Sequence, residues 1–149
     1  MPQSYTQLLY HIVFSTKGRE PWLKEIRSRV HSYLGGGIRD EKGTPLCIGG
    51  VDDHVHILAR LRQDKAISAV IGGIKAASSG WIHREFPTLP HFDWQDGYSA
   101  FTVSKSQSDI VRRYIDNQEE HHTKRNFKEE LIILLDAHEI DYDPKYLWE

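Results

Sequence analysis

The sequence predicts an α+β fold of the ferredoxin-like kind, a β-α-β-β-α-β antiparallel sheet followed by two C-terminal helices. Three observations point there. Residues 5–16 alternate, with Leu8, Tyr10, Ile12 and Phe14 on one face, as a strand requires. The runs Thr44 to Val51 and His54 to Leu61 are both strand-like and only Asp52-Asp53 separates them, which predicts an antiparallel hairpin. Two stretches of helical spacing flank that hairpin, so strands and helices come in the split βαβ order.

Taken in order, the first strand is followed by Pro21, a residue suited to a helix start. Leu23, Ile26, Val30 and Leu34 then recur at helical spacing, and Gly35-Gly36-Gly37 leaves the helix end open between Leu34 and Ile38. Asp40 to Gly43 reads as a loop before the hairpin. A second helix spans about 65–85, with Ile67, Val70, Ile71, Ile74, Ala77 and Trp81 as its buried stripe, and Pro87 and Pro90 end it. Tyr98 to Ser104 reads as a fourth strand, introduced by the turn-like Gln95-Asp96-Gly97. Ser106 and Asp109 form a capping-box pattern ahead of a third helix through Ile110, Val111, Tyr114, Ile115 and Gln118. A fourth, shorter helix covers about Phe127 to His138, and an acidic, aromatic tail follows. In this topology the first and third strands are central and helices cover one sheet face.

Composition sets the outer limits. The 149 residues are 39% hydrophobic and 27% charged, enough apolar content for a core and too little charge bias for disorder. The length predicts one domain over 1–149, with a core at about 5–125 and an acidic tail at about 129–149. No apolar run approaches the roughly 18 residues that span a bilayer, and no basic-then-apolar leader is visible, so the expectation is a cytoplasmic protein without a membrane segment. The single cysteine, Cys47, fits a reducing compartment and reads as a small buried hydrophobe. The net charge of −2 divides unevenly: residues 129–149 carry −6 and residues 1–128 carry +4. A phosphate-bearing partner is thus permitted, though solvated helix faces explain the same charges.

Two groups of residues could carry chemistry. His54-Val55-His56 places two imidazoles on one face of a strand, opposite the apolar face formed by Val55, Ile57, Ala59 and Leu61. Two imidazoles on one face can ligate a single divalent ion, and an uncovered sheet face would let a ligand reach them. Tyr114 and Gln118 are one turn apart on a helix, and His122 extends the stripe. Alone, each has a bland reading, as strand histidines or as packing and surface residues. Together they supply a tyrosine nucleophile that can keep a phosphodiester alive as a phosphotyrosine, beside an ion that polarises the phosphate. A free tyrosine has a pKa near 10, so such help is needed.

At this point the chain resembles a known family. Gly49-Gly50-Val51-Asp52-Asp53-His54-Val55-His56 is similar to the HUH motif of the single-tyrosine transposases of small bacterial insertion sequences, the IS200-like transposases and their repeat-associated relatives. Tyr114-Ile115-Asp116-Asn117-Gln118 is similar to that family's nucleophile helix. The opening Tyr10 to Lys17 and the stretch Trp94 to Phe101 also resemble family segments, in the same order along nearly the whole chain. The resemblance implies a homodimer that acts on single-stranded DNA, often beside a short hairpin. It implies Mg²⁺ or Mn²⁺ held by His54, His56 and Gln118, with His122 as the alternative third ligand. It implies that Tyr114 forms a 5′-phosphotyrosine, releases a 3′-hydroxyl, and rejoins strands by the reverse transesterification.

Lys17, Arg19, Arg112 and Arg113 are candidate phosphate contacts, and Trp94 and Tyr98 candidate nucleotide contacts. Trp22, Trp81, Trp94 and Trp148 also read as packing residues. Two other functions share the pattern. An RNA-recognition module has this strand order, but its third strand carries aromatics that His54-Val55-His56-Ile57-Leu58-Ala59-Arg60 lacks. A metal-dependent hydrolase built on His54 and His56 would want converging carboxylates, and only Asp52 and Asp53 are near in sequence.

Overall fold

In a computed structural model, residues 3–122 and 124–147 are described; Trp148 lies outside them. The strands are β1 (Leu9–Ser15), β2 (Thr44–Val51), β3 (His54–Arg60) and β4 (Ser99–Val103). The helices are α1 (Arg27–Asp40), α2 (Ile67–Glu85), α3 (Ser108–Asp116), α4 (Gln118–His121) and α5 (Phe127–Ala137). The sheet order is β2-β3-β1-β4 with every pair antiparallel, so β1 and β3 are central and the β-α-β-β-α-β prediction holds. Among the described residues, no helix is long and apolar enough to cross a membrane.

The strand period of two sorts side chains onto two faces. Ile12, Phe14, Val55, Ile57 and Ala59 point to the face covered by α1 and α2, where Val30, Leu34, Ile38, Val70, Ile71, Ile74 and Ile82 close the main core. The other face carries Val13 and Phe101, and against them pack Phe127, Leu131 and Leu135 of α5. His54 and His56 share that second face, since Val13 pairs with His56 and Ser15 with His54 in the β1–β3 register.

Several boundaries differ from the sequence expectation. The first helix begins at Arg27, not Pro21, because residues 22–26 form turns, and it continues through the glycine triplet to Asp40. Gly37 faces the Ile74 side chain across the α1–α2 contact. In α2 the buried position is Ser78 rather than Ala77; the Ser78 hydroxyl donates to the Ile74 carbonyl at 2.8 Å and accepts from the Trp94 indole N–H at 2.9 Å. The Ser106/Asp109 capping box does not form: Gln107 precedes α3 without a side-chain cap, and Ser106 pairs with the Ser104 hydroxyl instead.

The expectation that the histidine face lies open is wrong. Helices α3 and α5 fold over it, and the side chains of His54 and His56 are 0% exposed. The same cover buries Leu131 and Leu135 of α5 within their own chain.

Candidate active site

Each site residue is placed by a local feature of the chain. β2 and β3 are joined at Asp52-Asp53, and Gly50, two residues before Asp52, has φ +143°, where a side chain would meet the His54 carbonyl at 2.3 Å. The sharp turn thus needs glycine and delivers His54 at the first position of β3. Gly49 serves a different end. A Cβ there would lie 2.5 Å from the Ile115 carbonyl oxygen, so α3 rests directly on β2 and holds Tyr114 over β3. Gly49→Ala is expected to lift α3 from the sheet and cost about 1–3 kcal/mol as an overpacked contact. Thermal denaturation checks it, and an unchanged midpoint would mean that α3 does not depend on that approach.

Helix α3 stops at Asp116, and Asn117 (φ −99°, ψ 22°) interrupts the single helix expected from the sequence. Gln118 nevertheless stays beneath Tyr114, its amide nitrogen 3.5 Å from the Tyr114 carbonyl. It is 1% exposed. Its Oε1 lies 3.1 Å from Nε2 of His54 and 3.1 Å from Nε2 of His122. The two alternatives for a third ligand therefore sit side by side, both in reach of His54.

At the centre is a residue that sequence reasoning assigned to the acidic tail. Glu130 of α5 is 2% exposed. Its Oε1 lies 2.9 Å from His56 Nε2 and 3.3 Å from both His54 Nε2 and His122 Nε2. Its Oε2 accepts from the Tyr114 hydroxyl at 2.5 Å and from the Gln118 amide at 3.1 Å. The signal was present: Glu130 falls on the apolar stripe of its helix, between Phe127 and Leu131, where a carboxylate is out of place unless it has partners. His11 was also missed. It shares the sheet face of His56, and its Nε2 lies 2.8 Å from His56 Nδ1.

Hydrogen bonding fixes the charge states. His54 has an acceptor at each ring nitrogen, Asp53 at 2.7 Å on Nδ1 and Glu130 or Gln118 oxygens on Nε2. Burial opposes its charge, yet the bonds to Asp53 and Glu130 outweigh it and hold the pKa up at about 9. His56 is pushed down to about 4, by burial and by the charge of His54, against the pull of Glu130. His11 falls to about 3, chiefly by burial. Burial alone would raise Glu130, but the bonds from His122, His54 and His56 hold it far below the ordinary carboxylate range. Burial and the bond to Glu130 raise the Tyr114 hydroxyl above its usual value. The result is an ionised carboxylate among imidazoles, and a phenol that keeps its proton until something changes its surroundings.

His54, His122 and Glu130 present ligand atoms all within 4.8 Å of one another. Imidazole nitrogen, amide oxygen and carboxylate oxygen form a mixed donor set that suits a divalent ion such as Mn²⁺. The residues present fit the metal.

The other sequence candidates lie outside this cluster. Trp94 is corrected: it is 3% exposed, packed edge-on to Phe14 with centroids 4.8 Å apart, and is a core residue rather than a nucleotide contact. Tyr98 is 37% exposed and stays available. Lys17 is exposed and pairs loosely with Asp96 at 3.8 Å. Arg112 and Arg113 are exposed on α3 beside Tyr114, and Arg19 is half-buried just past the end of β1. Cys47 is half-buried, its thiol 3.1 Å from an Asp116 carboxylate oxygen; burial and that bond push its pKa up to about 12, which leaves it unreactive. A cavity of about 400 Å³ opens beside the nucleophile candidate, lined by His11, Phe101, Ile110, Tyr114 and His138 among others.

The four-stranded sheet thus carries two histidines on a central strand, with the helix that bears Tyr114 laid across them. Residues 4–118 match the family described as transposase, IS200 like, and the chain belongs to that family. Its fold is similar to a crystal structure from Deinococcus radiodurans R1 provisionally described as a transposase, with 26% identity, a TM-score of 0.64, and coverage of 79% of this chain and 96% of that one. It is also similar to the structure of a REP-associated tyrosine transposase bound to a REP hairpin, at 15% identity and a TM-score of 0.60, over 82% of this chain and 73% of that one. No curated protein sequence matches it.

Proposed function

We propose that the chain is a metal-dependent nicking and joining enzyme of single-stranded DNA. Tyr114 is its nucleophile, and His54, His56 and Gln118, with His122 beside them, hold Mg²⁺ or Mn²⁺. The observation that carries this reading is the convergence of Tyr114, Gln118 and both histidines of the β3 motif on one buried point, from segments 64 residues apart in sequence. Tyr114 gives up its phenolic proton as Oη attacks the phosphorus, the P–O3′ bond breaks, and the departing O3′ takes up a proton, which leaves the strand as a 5′-phosphotyrosine and a 3′-hydroxyl. A divalent ion at the site would polarise the phosphate and stabilise the departing oxygen. Tyr114 is half-buried and borders the cavity, which gives a strand a route to its hydroxyl. Arg112 and Arg113 lie next to it on the exposed side, placed to offset phosphate charge, with Lys17, Arg19 and Tyr98 as further contacts. A DNA hairpin is the natural partner by likeness to the hairpin-bound relative.

Cleaving a 3′-labelled single strand in Mn²⁺ or Mg²⁺ and running a denaturing gel tests the reading. The expected result is a labelled protein–DNA adduct. Glu130 supplies the buried carboxylate whose absence from the sequence pattern weighed against a metal-dependent hydrolase. Metal-dependent cleavage without an adduct would therefore establish the hydrolase instead. Binding with no cleavage in any metal would leave only a recognition module, a reading disfavoured by a β1–β3 face buried under α3 and α5.

The homodimer belongs to the same reading, supported by the family resemblance and by Ile110 and Ile133, exposed on α3 and α5 at 52% and 47%. Light scattering reads the mass directly, and the mass of a single chain would remove it.

A further inference from the structure

We propose that Glu130 is itself a ligand of the divalent ion and the anchor of the nucleophile, so that α5 is a working part of the active site. This rests on the metal-dependent reading above. It departs from the histidine pair plus glutamine that the family resemblance supplies, because the extra ligand comes from beyond residues 4–118, the part of the chain that matches the family.

The geometry of the carboxylate carries the argument. One oxygen faces three imidazole Nε2 atoms, at 2.9 Å from His56 and 3.3 Å from His54 and His122. The other oxygen takes the Tyr114 hydroxyl and the Gln118 amide. A single side chain thus touches every residue proposed to bind the ion and the one proposed to attack. Burying a charge for stability alone is a poor bargain, since an apolar residue between Phe127 and Leu131 would serve the core better. The position is also held firmly. The Asn126 side chain accepts from the Glu129 amide at 2.9 Å and starts the helix, and Phe127 and Leu131 on either side of Glu130 pin that first turn to the sheet. A hard anionic oxygen added to imidazole nitrogens and an amide oxygen raises affinity for Mn²⁺ or Mg²⁺, ions that favour carboxylates.

The opposing possibility is that Glu130 competes with the ion by occupying the histidines. The two roles have opposite signs in a binding measurement. Mn²⁺ is titrated by calorimetry into the full-length protein, into Glu130→Gln and into His54→Ala. Glu130→Gln preserves volume and can still bond Tyr114, so it isolates the charge. The expected result is a weakening of Mn²⁺ binding by about 10–100-fold in Glu130→Gln, with partial recovery in Glu130→Asp. Binding in Glu130→Gln that is as tight as in the unmodified protein, or tighter, while His54→Ala loses it, overturns this inference and leaves the metal site standing. No Mn²⁺ binding by the unmodified protein overturns both. Should Glu130→Gln not fold, infrared difference spectra of the unmodified protein with ¹³C-labelled glutamate carboxylates decide the question. An isotope-sensitive shift on adding Mn²⁺ is expected, and its absence counts against ligation, since Glu130 is the only buried glutamate among the described residues.

Discussion

Tyr114→Phe is expected to fold, to bind a hairpin-bearing single strand as the unmodified protein does, and to form no covalent adduct in Mn²⁺ or Mg²⁺. The substitution deletes the attacking oxygen and almost no volume. Its structural cost is one hydrogen bond to Glu130 Oε2, which keeps the Gln118 amide as a partner, so a loss of about 1–2 kcal/mol in stability is the ceiling. Activity should fall by at least about 10⁴-fold, as when a nucleophile is removed from an enzyme that has no substitute for it. Tyr98→Phe is the informative control. Tyr98 is exposed and does not share in the hydrogen bonds around Glu130, so Tyr98→Phe should still form the adduct, with at most a modest fall in yield from a weakened DNA contact. An adduct that persists in Tyr114→Phe and vanishes in Tyr98→Phe would move the nucleophile to the start of β4.

His56→Ala should abolish cleavage while hairpin binding survives, because binding rests on phosphate and shape contacts remote from a buried ring. A loss of at least about 100-fold is expected from removing a metal ligand or the partner that orients one. Burial complicates this variant in a defined way. The ring is fully enclosed and bonds both His11 and Glu130, so its removal opens a cavity and strips a partner from each, at about 2–4 kcal/mol. A melting curve must therefore accompany the assay, and His56→Gln, which can bond Glu130, serves as the milder variant. Equal loss of binding and cleavage in a folded His56→Gln would assign His56 to DNA recognition rather than to metal.

Sequence alone determined the sheet and the family. Alternation in β1, the two-residue link between β2 and β3, and helical spacing in α1 and α2 are local signals, each written in residues a few positions apart. The histidine pair and the Tyr114–Gln118 spacing were legible for the same reason. What the sequence could not display was whatever depends on one segment meeting another. The extent of α1 through Gly35-Gly36-Gly37 was decided by packing, since Leu34 and Ile38 on either side of the triplet are both buried in the main core. Trp94 reads alike as a base platform and as core, and only its place beside Phe14 and Ser78 selects the core.

The largest departure concerns charge. Counted along the chain, Glu130 belongs to an acidic stretch that should avoid a polyanion. In three dimensions α5 turns back over the sheet and carries that one carboxylate inside, among His54, His56 and His122, while Glu129 beside it stays in water. Burial separates the two neighbours: the exposed one is solvated and screened, and the enclosed one is stabilised by the imidazoles, the Gln118 amide and the tyrosine it meets. Sequence supplied the histidines, the tyrosine and the glutamine; the docking of one apolar helix face decided that a glutamate from the chain's last quarter stands between them.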